Sequence, residues 1–249
     1  MQKNLLLISN SSDPNNKYLG SHCEGLLKTT LADVEHVLFI PWAQPQGIPY
    51  NAYTALVRER FQELGKDLTS IHETNEILVA LGKAQSIFIG GGNTFSLQSK
   101  LLNTFGAIPA IRKRVLQDGI PYIGSSAGIN VVCPTIKTTN DMPIVLPHSF
   151  ESLNFVPFQI NPHYVEPEEG SKHKGETRAD RINEFHATED NEHRDLLVIG
   201  LYEMSSLVVK GKAMEVKGPL NSQGVVVFEQ GKKPSRFPVD TDLSFLLRT

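Results

Sequence analysis

The sequence predicts an α/β protein with an open, mostly parallel sheet, helices on both faces and antiparallel strands added near the C-terminus. Three observations predict this fold. Over the first half of the chain, short apolar runs alternate with amphipathic segments, as in a parallel sheet with crossover helices. Two glycine-rich turns, residues 90–92 and 124–128, directly follow apolar runs. Near the C-terminus, single glycines separate short apolar runs, as in antiparallel strands joined by turns.

The individual elements follow from local patterns. Runs of apolar residues predict strands at 5–9, 37–41, 86–89, 122–123, 196–200, 206–210, 213–217 and 225–229. Apolar residues at helical spacing predict helices at 54–64, 94–102 and 108–116. Both glycine-rich turns fall at the carboxyl ends of predicted parallel strands, where sites form in such sheets.

Residues 134–180 have a different character. They are rich in Pro, Asn, Thr and His and show weak periodicity. An irregular stretch of this length is uncommon unless it has a function. Because no linker, internal repeat or low-complexity segment interrupts the chain, we expect a single domain over residues 1–249.

Composition excludes several classes of partner. The 249 residues carry a formal net charge of -3 without a strong basic or acidic block, so no nucleic-acid or membrane surface is predicted. No apolar run approaches the ~20 residues that span a bilayer. The two cysteines, Cys23 and Cys133, form neither a disulfide framework nor a metal set, which favours a cytoplasmic location. No cofactor is predicted, and the oligomeric state stays open, a homo-oligomer included.

The segment Gly124-Ser125-Ser126-Ala127-Gly128 matches G-x-S-x-G between an apolar run and a further apolar segment. This pattern is typical of a nucleophile elbow, a strained strand-to-helix turn that exposes the serine hydroxyl. Ser126 is therefore the candidate nucleophile. The alternative is a tight turn of small residues that has no chemical function.

A serine nucleophile needs a base, and His163 is the candidate. It follows Pro162, whose fixed φ angle can hold a loop and its imidazole in place. The alternative is a loop histidine without a role. Other histidines are less well placed: His148, His173, and also His186 and His193, which lie in a polar stretch predicted to be solvated. No helical H-E-x-x-H spacing occurs, so no metal site is predicted.

Two carboxylates are candidates for the acid that orients the base. Asp141 lies in a loop before Pro143, and Glu203 follows a predicted strand. The alternatives are an Asx turn at Asp141 and a solvent-facing strand end at Glu203. These local patterns do not rank the two.

Backbone N–H groups can hold the oxyanion of an acyl-transfer reaction. Ala127 follows the nucleophile, and Gly91 lies in the glycine turn that can approach a substrate closely. This turn lacks the Lys-Ser/Thr ending of a P-loop, so a nucleotide is disfavoured. Asn93 is both a helix cap and a candidate substrate contact.

Arg178 is a candidate carboxylate-binding residue. Thr177 and Asp180 match a capping box, which places Arg178 in the first turn of a helix. A cation there opposes the helix dipole unless it binds an anion. The alternative is a surface ion pair with Asp180 or Glu176.

Five segments in the same order resemble the peptidase E family of serine peptidases, the α-aspartyl dipeptidases. They are residues 89–95, 126–130, 133–145, 159–163 and 173–178. The resemblance implies a fold like that of class I glutamine amidotransferases, with a flavodoxin-like sheet. It also implies hydrolysis of dipeptides with an N-terminal aspartate.

The resemblance also assigns roles. Ser126 matches the nucleophile, His163 the base and Arg178 the residue expected to hold the aspartyl β-carboxylate. Asp141 and Glu203 each match a proposed third member of the triad, and we prefer Asp141. Ser125 stands where a bulkier aromatic residue also occurs in the family. We expect the smaller side chain to widen the pocket and so to alter the range of substrates.

The predicted function is a serine dipeptidase that releases aspartate from Asp-X dipeptides. One alternative is a related peptidase acting on isoaspartyl or cyanophycin-like β-linked peptides. The other is a non-catalytic module that binds a small molecule in the same pocket.

Overall fold

Two β-sheets organise the protein in the computed structural model, which describes residues 3–167 and 175–248. The strands are β1 Asn4–Ile8, β2 His36–Ile40, β3 Asp67–Ser70, β4 Ile87–Ile89, β5 Tyr122–Ser125, β6 Gln159–Tyr164, β7 Val198–Tyr202, β8 Ser206–Lys210, β9 Ala213–Lys217, β10 Val225–Phe228 and β11 Ser235–Phe237. The helices are α1 Glu24–Thr30, α2 Tyr50–Glu63, α3 Ile77–Lys83, α4 Thr94–Asn103, α5 Ala107–Arg112, α6 Ala127–Asn130 and α7 Arg178–Ala187.

The larger sheet has seven strands in the order β3-β2-β4-β5-β1-β8-β9. Its first five strands are parallel, and β8 and β9 add to the β1 edge in antiparallel fashion. This arrangement confirms the predicted fold class. It also brings the ends of β4 and β5 side by side, because Ile89 pairs with Gly124.

Strand β1 shows how the sequence buries both faces of this sheet. Leu5 and Leu7 belong to one buried cluster, whereas Leu6 and Ile8 belong to another. Successive side chains of a strand point to opposite faces, so a continuous apolar run contributes to two cores. The helices on either face complete these cores, as predicted.

The smaller sheet corrects one prediction. Strands 196–200 and 225–229 were expected to extend the edge of the main sheet, but β7 and β10 form a second sheet in the order β11-β10-β7-β6. β7 pairs with β6 in parallel and with β10 in antiparallel fashion. β6 lies within residues 134–180, which the sequence predicts to be irregular. Its polar residues and its proline show no strand pattern, so it is not recognisable from the sequence.

Other differences concern short elements. The sequence patterns did not indicate α1, α3, β3 or β11, each of which is too short for clear periodicity. The helix predicted at 108–116 corresponds to α5 and a π-helical turn that continues it at 113–117. Among the described residues, no helix is long and apolar enough to cross a lipid bilayer.

Candidate active site

Ser126 occupies a strained turn between β5 and α6. Its φ and ψ are 52° and -110°, a conformation that residues with a side chain rarely adopt. Its neighbours must be small: a Cβ at Gly124 would lie 2.5 Å from the Gly128 carbonyl oxygen. This geometry agrees with the predicted elbow.

Hydrogen bonds from three directions hold the elbow. The Ser126 N–H donates to the Ile8 carbonyl at 3.2 Å. The Tyr122 hydroxyl donates to the Gly128 carbonyl at 2.6 Å. The hydroxyls of Ser125 and Ser11 are 2.8 Å apart. These bonds tie the turn to β1 and β5 and offset part of the backbone strain.

The tight packing behind the elbow leads to a stability prediction. Gly128→Ala is expected to lower the free energy of unfolding by about 1–3 kcal/mol, because the new Cβ would lie 2.2 Å from the Ile89 carbonyl oxygen. Urea denaturation measures the effect. Gly82→Ala is the matched control, since the added methyl group meets no atom within 4 Å there. Equal midpoints for the two variants would contradict the prediction.

His163 lies in strand β6 and not in a loop, which corrects the expected local structure. A bulge between Pro162 and Tyr164 gives His163 a φ of 55°. Its N–H donates to the Ser9 hydroxyl at 3.0 Å. Its Nε2 lies 3.0 Å from Ser126 Oγ, so the structure brings these two predicted residues together. A bulge commonly re-aims a side chain in this way.

Glu203, and not the preferred Asp141, contacts the imidazole. Glu203 Oε1 lies 2.8 Å from His163 Nδ1. Glu203 directly follows β7, the parallel partner of β6, so strand pairing delivers both residues to the same place. A carboxylate at Nδ1 favours the Nδ1–H tautomer, which leaves Nε2 free to accept the serine proton.

Asp141 is engaged at the start of helix α4. Its Oδ2 accepts hydrogen bonds from the Thr94 N–H at 2.7 Å and from the Thr139 hydroxyl at 3.1 Å. An acidic side chain at a helix N-terminus stabilises the helix dipole. The structure therefore gives Asp141 a capping contact and corrects the preference for it as the orienting acid.

The two predicted oxyanion donors flank the nucleophile. A Cβ at Gly91 would lie 3.1 Å from Ser126 Cβ, so the glycine turn approaches the serine closely. Within the part of the chain that the structure describes, the N–H groups of Gly91 and Ala127 have no hydrogen-bond acceptor. Free N–H groups on both sides of a nucleophile can stabilise a negative oxygen.

Arg178 is the first residue of α7, as the capping box at Thr177 and Asp180 predicts. With His163 and Glu203 it lines a cavity of about 560 Å³. No described carboxylate forms an ion pair with Arg178. Burial lowers the pKa of its guanidinium and nearby Arg181 adds to this effect, while Asp141 opposes it. The alternative of a surface ion pair is therefore not observed among the described residues.

A second cavity shares His163 and Glu203 with the first. Its volume is about 830 Å³, and Ser126, His163 and Glu203 line it together with Gly91 and Tyr53. His163 and Glu203 thus lie between two cavities. The larger cavity contains the nucleophile, and the smaller one contains Arg178.

Asn93 caps helix α4 as predicted: Oδ1 accepts from the Ser96 N–H, and Nδ2 donates to the Met142 carbonyl. Its contact with a substrate stays a prediction. One prediction about the other histidines is wrong. His186 is buried and not solvated, and its Nδ1 lies 2.7 Å from the Arg194 carbonyl oxygen. His173, with the first residues of the fifth motif, lies outside the described residues.

No cluster of three or more His, Cys, Asp or Glu side chains in the described ranges could hold a metal ion. Three residues without a local sequence signal also support the site. Tyr53 bonds to the glycine turn, Ser9 to the His163 backbone and Ser11 to the elbow. Each contact depends on tertiary structure, so no sequence pattern indicates it.

Comparisons with known proteins show the family and support the fold. The family model of Peptidase family S51 matches residues 5–217. The chain is 42% identical over 244 residues to "Peptidase E" of Streptomyces coelicolor, which covers 98% of this chain and 95% of that protein. It is also 42% identical to "Probable alpha-aspartyl dipeptidase" of Drosophila melanogaster, over 99% of this chain and 98% of that protein. The crystal structure of a peptidase from an acI-B1 Actinobacterium superposes with a TM-score of 0.69 at 20% identity, over 98% of both chains, which supports the fold.

Proposed function

Since the chain belongs to peptidase family S51, we propose that it is a serine dipeptidase that releases the N-terminal aspartate of Asp-X dipeptides. One observation carries the proposal. A partly buried guanidinium without a described anionic partner, Arg178, lines the same cavity as the imidazole that contacts Ser126. This arrangement combines an activated nucleophile with a residue that can bind a carboxylate.

The first half of the proposed reaction forms an aspartyl ester. Ser126 Oγ attacks the scissile carbonyl carbon while its proton passes to His163 Nε2, and the carbonyl electrons move to oxygen. The N–H groups of Ala127 and Gly91 hold this oxyanion. The C–N bond then breaks, and His163 gives the proton to the leaving amine.

The second half regenerates the enzyme. Water gives a proton to His163 Nε2 as its oxygen bonds to the acyl carbon. The ester C–O bond breaks, the proton returns to Ser126 Oγ, and aspartate leaves. Throughout, Glu203 holds the imidazole through Nδ1 and stabilises its charged form, as the 2.8 Å contact allows.

The two cavities suggest how the dipeptide lies. We place the aspartyl side chain in the cavity lined by Arg178, where a bidentate ion pair with the β-carboxylate offsets the burial of the guanidinium. The second amino acid then extends into the larger cavity, whose lining is mixed: Ile48 and Leu56 are apolar, whereas most of the other lining side chains are polar. A mixed lining of this kind can accept leucine against its apolar part.

A substrate panel tests the proposal. Wild-type protein is incubated with Asp-Leu, β-linked Asp-Leu, Asn-Leu and Leu-Leu, and the released amino acids are quantified. We expect cleavage of Asp-Leu alone. Cleavage of only the β-linked dipeptide would replace the proposal with the isoaspartyl alternative, and cleavage of none would favour a binding module.

Arg178→Ala tests whether Arg178 binds the aspartyl carboxylate of the substrate. We expect kcat/KM for Asp-Leu to fall by about 10²-fold, because the substrate carboxylate loses its charged partner. The slow rate for an uncharged dipeptide should be the same in the variant and the wild type. The ratio of kcat/KM for Asp-Leu to that for the uncharged dipeptide should therefore fall. Arg181→Ala is the matched control, since Arg181 pairs with Glu176 and does not line this cavity. An equal fall in kcat/KM for charged and uncharged dipeptides would show that Arg178 does not recognise the carboxylate.

We also propose a cytoplasmic location. Cys23 and Cys133 are both buried free thiols. Burial raises the pKa of each thiol to about 12, so both are protonated and unreactive near neutral pH. Free thiols are typical of reducing compartments.

A further inference from the structure

One buried phenol supports the glycine turn beside the nucleophile. The hydroxyl of Tyr53, on α2, donates to the Gly91 carbonyl oxygen at 3.1 Å. The Tyr53 ring is almost fully buried and packs edge-on against Phe39, with ring centroids 5.1 Å apart. A Cβ at Gly90 would lie 2.1 Å from the Tyr53 hydroxyl oxygen, so the turn rests directly on the phenol.

We propose that Tyr53 is a positioning residue that holds the glycine turn with its N–H groups facing the oxyanion formed at Ser126. The inference rests on the proposed serine mechanism. It adds a residue that contacts no reacting atom and acts through the Gly91 carbonyl.

The geometry of the peptide unit explains how this contact works. In a trans peptide the C=O and the following N–H point in opposite directions. Anchoring the Gly91 carbonyl therefore directs the Gly92 N–H away from the phenol. It also fixes the position of the Gly91 Cα, which limits how far the Gly91 N–H, the candidate oxyanion donor on the other side of that Cα, can turn. Three consecutive glycines have more backbone freedom than any other tripeptide, so an external anchor is needed to keep this turn in one conformation.

The rest of the turn is confined from other sides. Gly91 faces the nucleophile, since its Cβ would lie 3.1 Å from both Ser126 Cβ and Ser11 Oγ. Gly92 has a φ of 135°, and its Cβ would lie 2.3 Å from the Ala43 carbonyl oxygen. Tyr53 supplies the hydrogen bond that fixes the carbonyl between these two confined residues.

The phenol is suited to this contact near neutral pH. Burial raises the pKa of Tyr53 to about 12, so the hydroxyl stays protonated and can donate. The Tyr18 hydroxyl lies 3.2 Å from that of Tyr53 and can complete its hydrogen bonding. The donor thus remains neutral and adds no charge next to the developing oxyanion.

Tyr53→Phe removes the hydroxyl and keeps the ring. Loss of a whole oxyanion donor lowers kcat by about 10²–10³-fold. In Tyr53→Phe the donor remains but is less well oriented, so it keeps part of its stabilising effect. We therefore expect kcat to fall by about 10-fold. KM should stay within about twofold, because the ground-state carbonyl depends less on these donors than the transition state does. The boronic acid analogue of aspartate, which forms a tetrahedral adduct, should lose affinity by the same factor as kcat/KM. Inhibition by product aspartate should not change.

Tyr50→Phe is the matched control. It makes the same chemical change in the same helix, at a ring that packs near His72 away from the site. We expect wild-type activity from this variant. Thermal unfolding shows whether each variant is folded. Titration with a fluorophosphonate gives the concentration of active sites, by which all rates are divided.

Two results would overturn the inference. One is an unchanged kcat in Tyr53→Phe; the other is an equal loss of affinity for aspartate and for the boronic acid, which indicates a role in substrate binding. The labelling rate of Ser126 by a simple fluorophosphonate provides a readout that needs no aspartyl substrate. If wild type fails to cleave Asp-Leu, the proposed function fails, and the ratio of labelling rates between wild type and Tyr53→Phe still decides the role of Tyr53.

Discussion

Replacing Ser126 with alanine is expected to lower kcat for Asp-Leu by about 10⁶-fold, the scale at which removal of a triad serine acts in other serine peptidases. The variant retains the oxyanion donors and Arg178 but has no group that can form the acyl ester. Steady-state hydrolysis of Asp-Leu at high enzyme concentration measures the residual rate.

Ser125→Ala is the control for this variant. It removes a hydroxyl from the adjacent residue, which contacts Ser11 and not His163. We expect it to retain activity within about 10-fold of wild type, since only one supporting hydrogen bond is lost. A Ser126→Ala protein that keeps about a hundredth of wild-type kcat would exclude the serine mechanism.

Replacing Glu203 with glutamine is expected to lower kcat by about 10²–10³-fold, less than the loss of a buried triad carboxylate, because the Glu203 side chain is 61% exposed and solvent screens part of its charge. The amide keeps the shape of the side chain but removes the negative charge that stabilises the imidazolium. It can also donate to Nδ1 and so favour the wrong tautomer, in which Nε2 carries a proton and accepts none from Ser126. The kcat of purified Glu203→Gln on Asp-Leu measures the loss.

Asp141→Asn distinguishes the two carboxylates. Its side-chain oxygen can still accept from the Thr94 N–H at the start of α4, so the fold should survive. We expect a loss below about 10-fold, since an N-cap contact does not take part in proton transfer. The opposite order, a severe loss in Asp141→Asn and a mild one in Glu203→Gln, would restore Asp141 as the orienting acid.

Local sequence patterns predicted the parts of the site that depend on a few consecutive residues. The elbow at Ser126 follows from small residues around a serine, and the start of α7 at Arg178 follows from the capping box. Each feature is encoded within one turn of chain. Tertiary structure only has to accommodate it.

The choice between Asp141 and Glu203 depends on a long-range pairing. Glu203 reaches His163 because β7 lies parallel to β6, and β6 has too little apolar alternation to be recognised as a strand. The bulge that aims His163 also has no local signature. Without this pairing, a loop carboxylate near the right motif was as plausible as the strand end.

The same limit applies to the residues that support the site. Tyr53 is one member of an amphipathic helix, and its role depends on a hydroxyl that meets the Gly91 carbonyl after folding. The second sheet likewise depends on the pairing of β7 with β6 and β10, which are distant from it in sequence. Pairings of this kind are decided by the whole fold.

The most direct test of the central claim is the labelling of the enzyme by an aspartyl phosphonate, with the modified residue located by peptide mass analysis. This reagent carries the aspartyl side chain and traps the nucleophile in one adduct. We predict modification of Ser126 at least about 10²-fold faster than by the leucyl analogue, with the difference lost in Arg178→Ala. Modification of another residue, or equal rates for the aspartyl and leucyl reagents, would contradict an aspartate-specific serine dipeptidase.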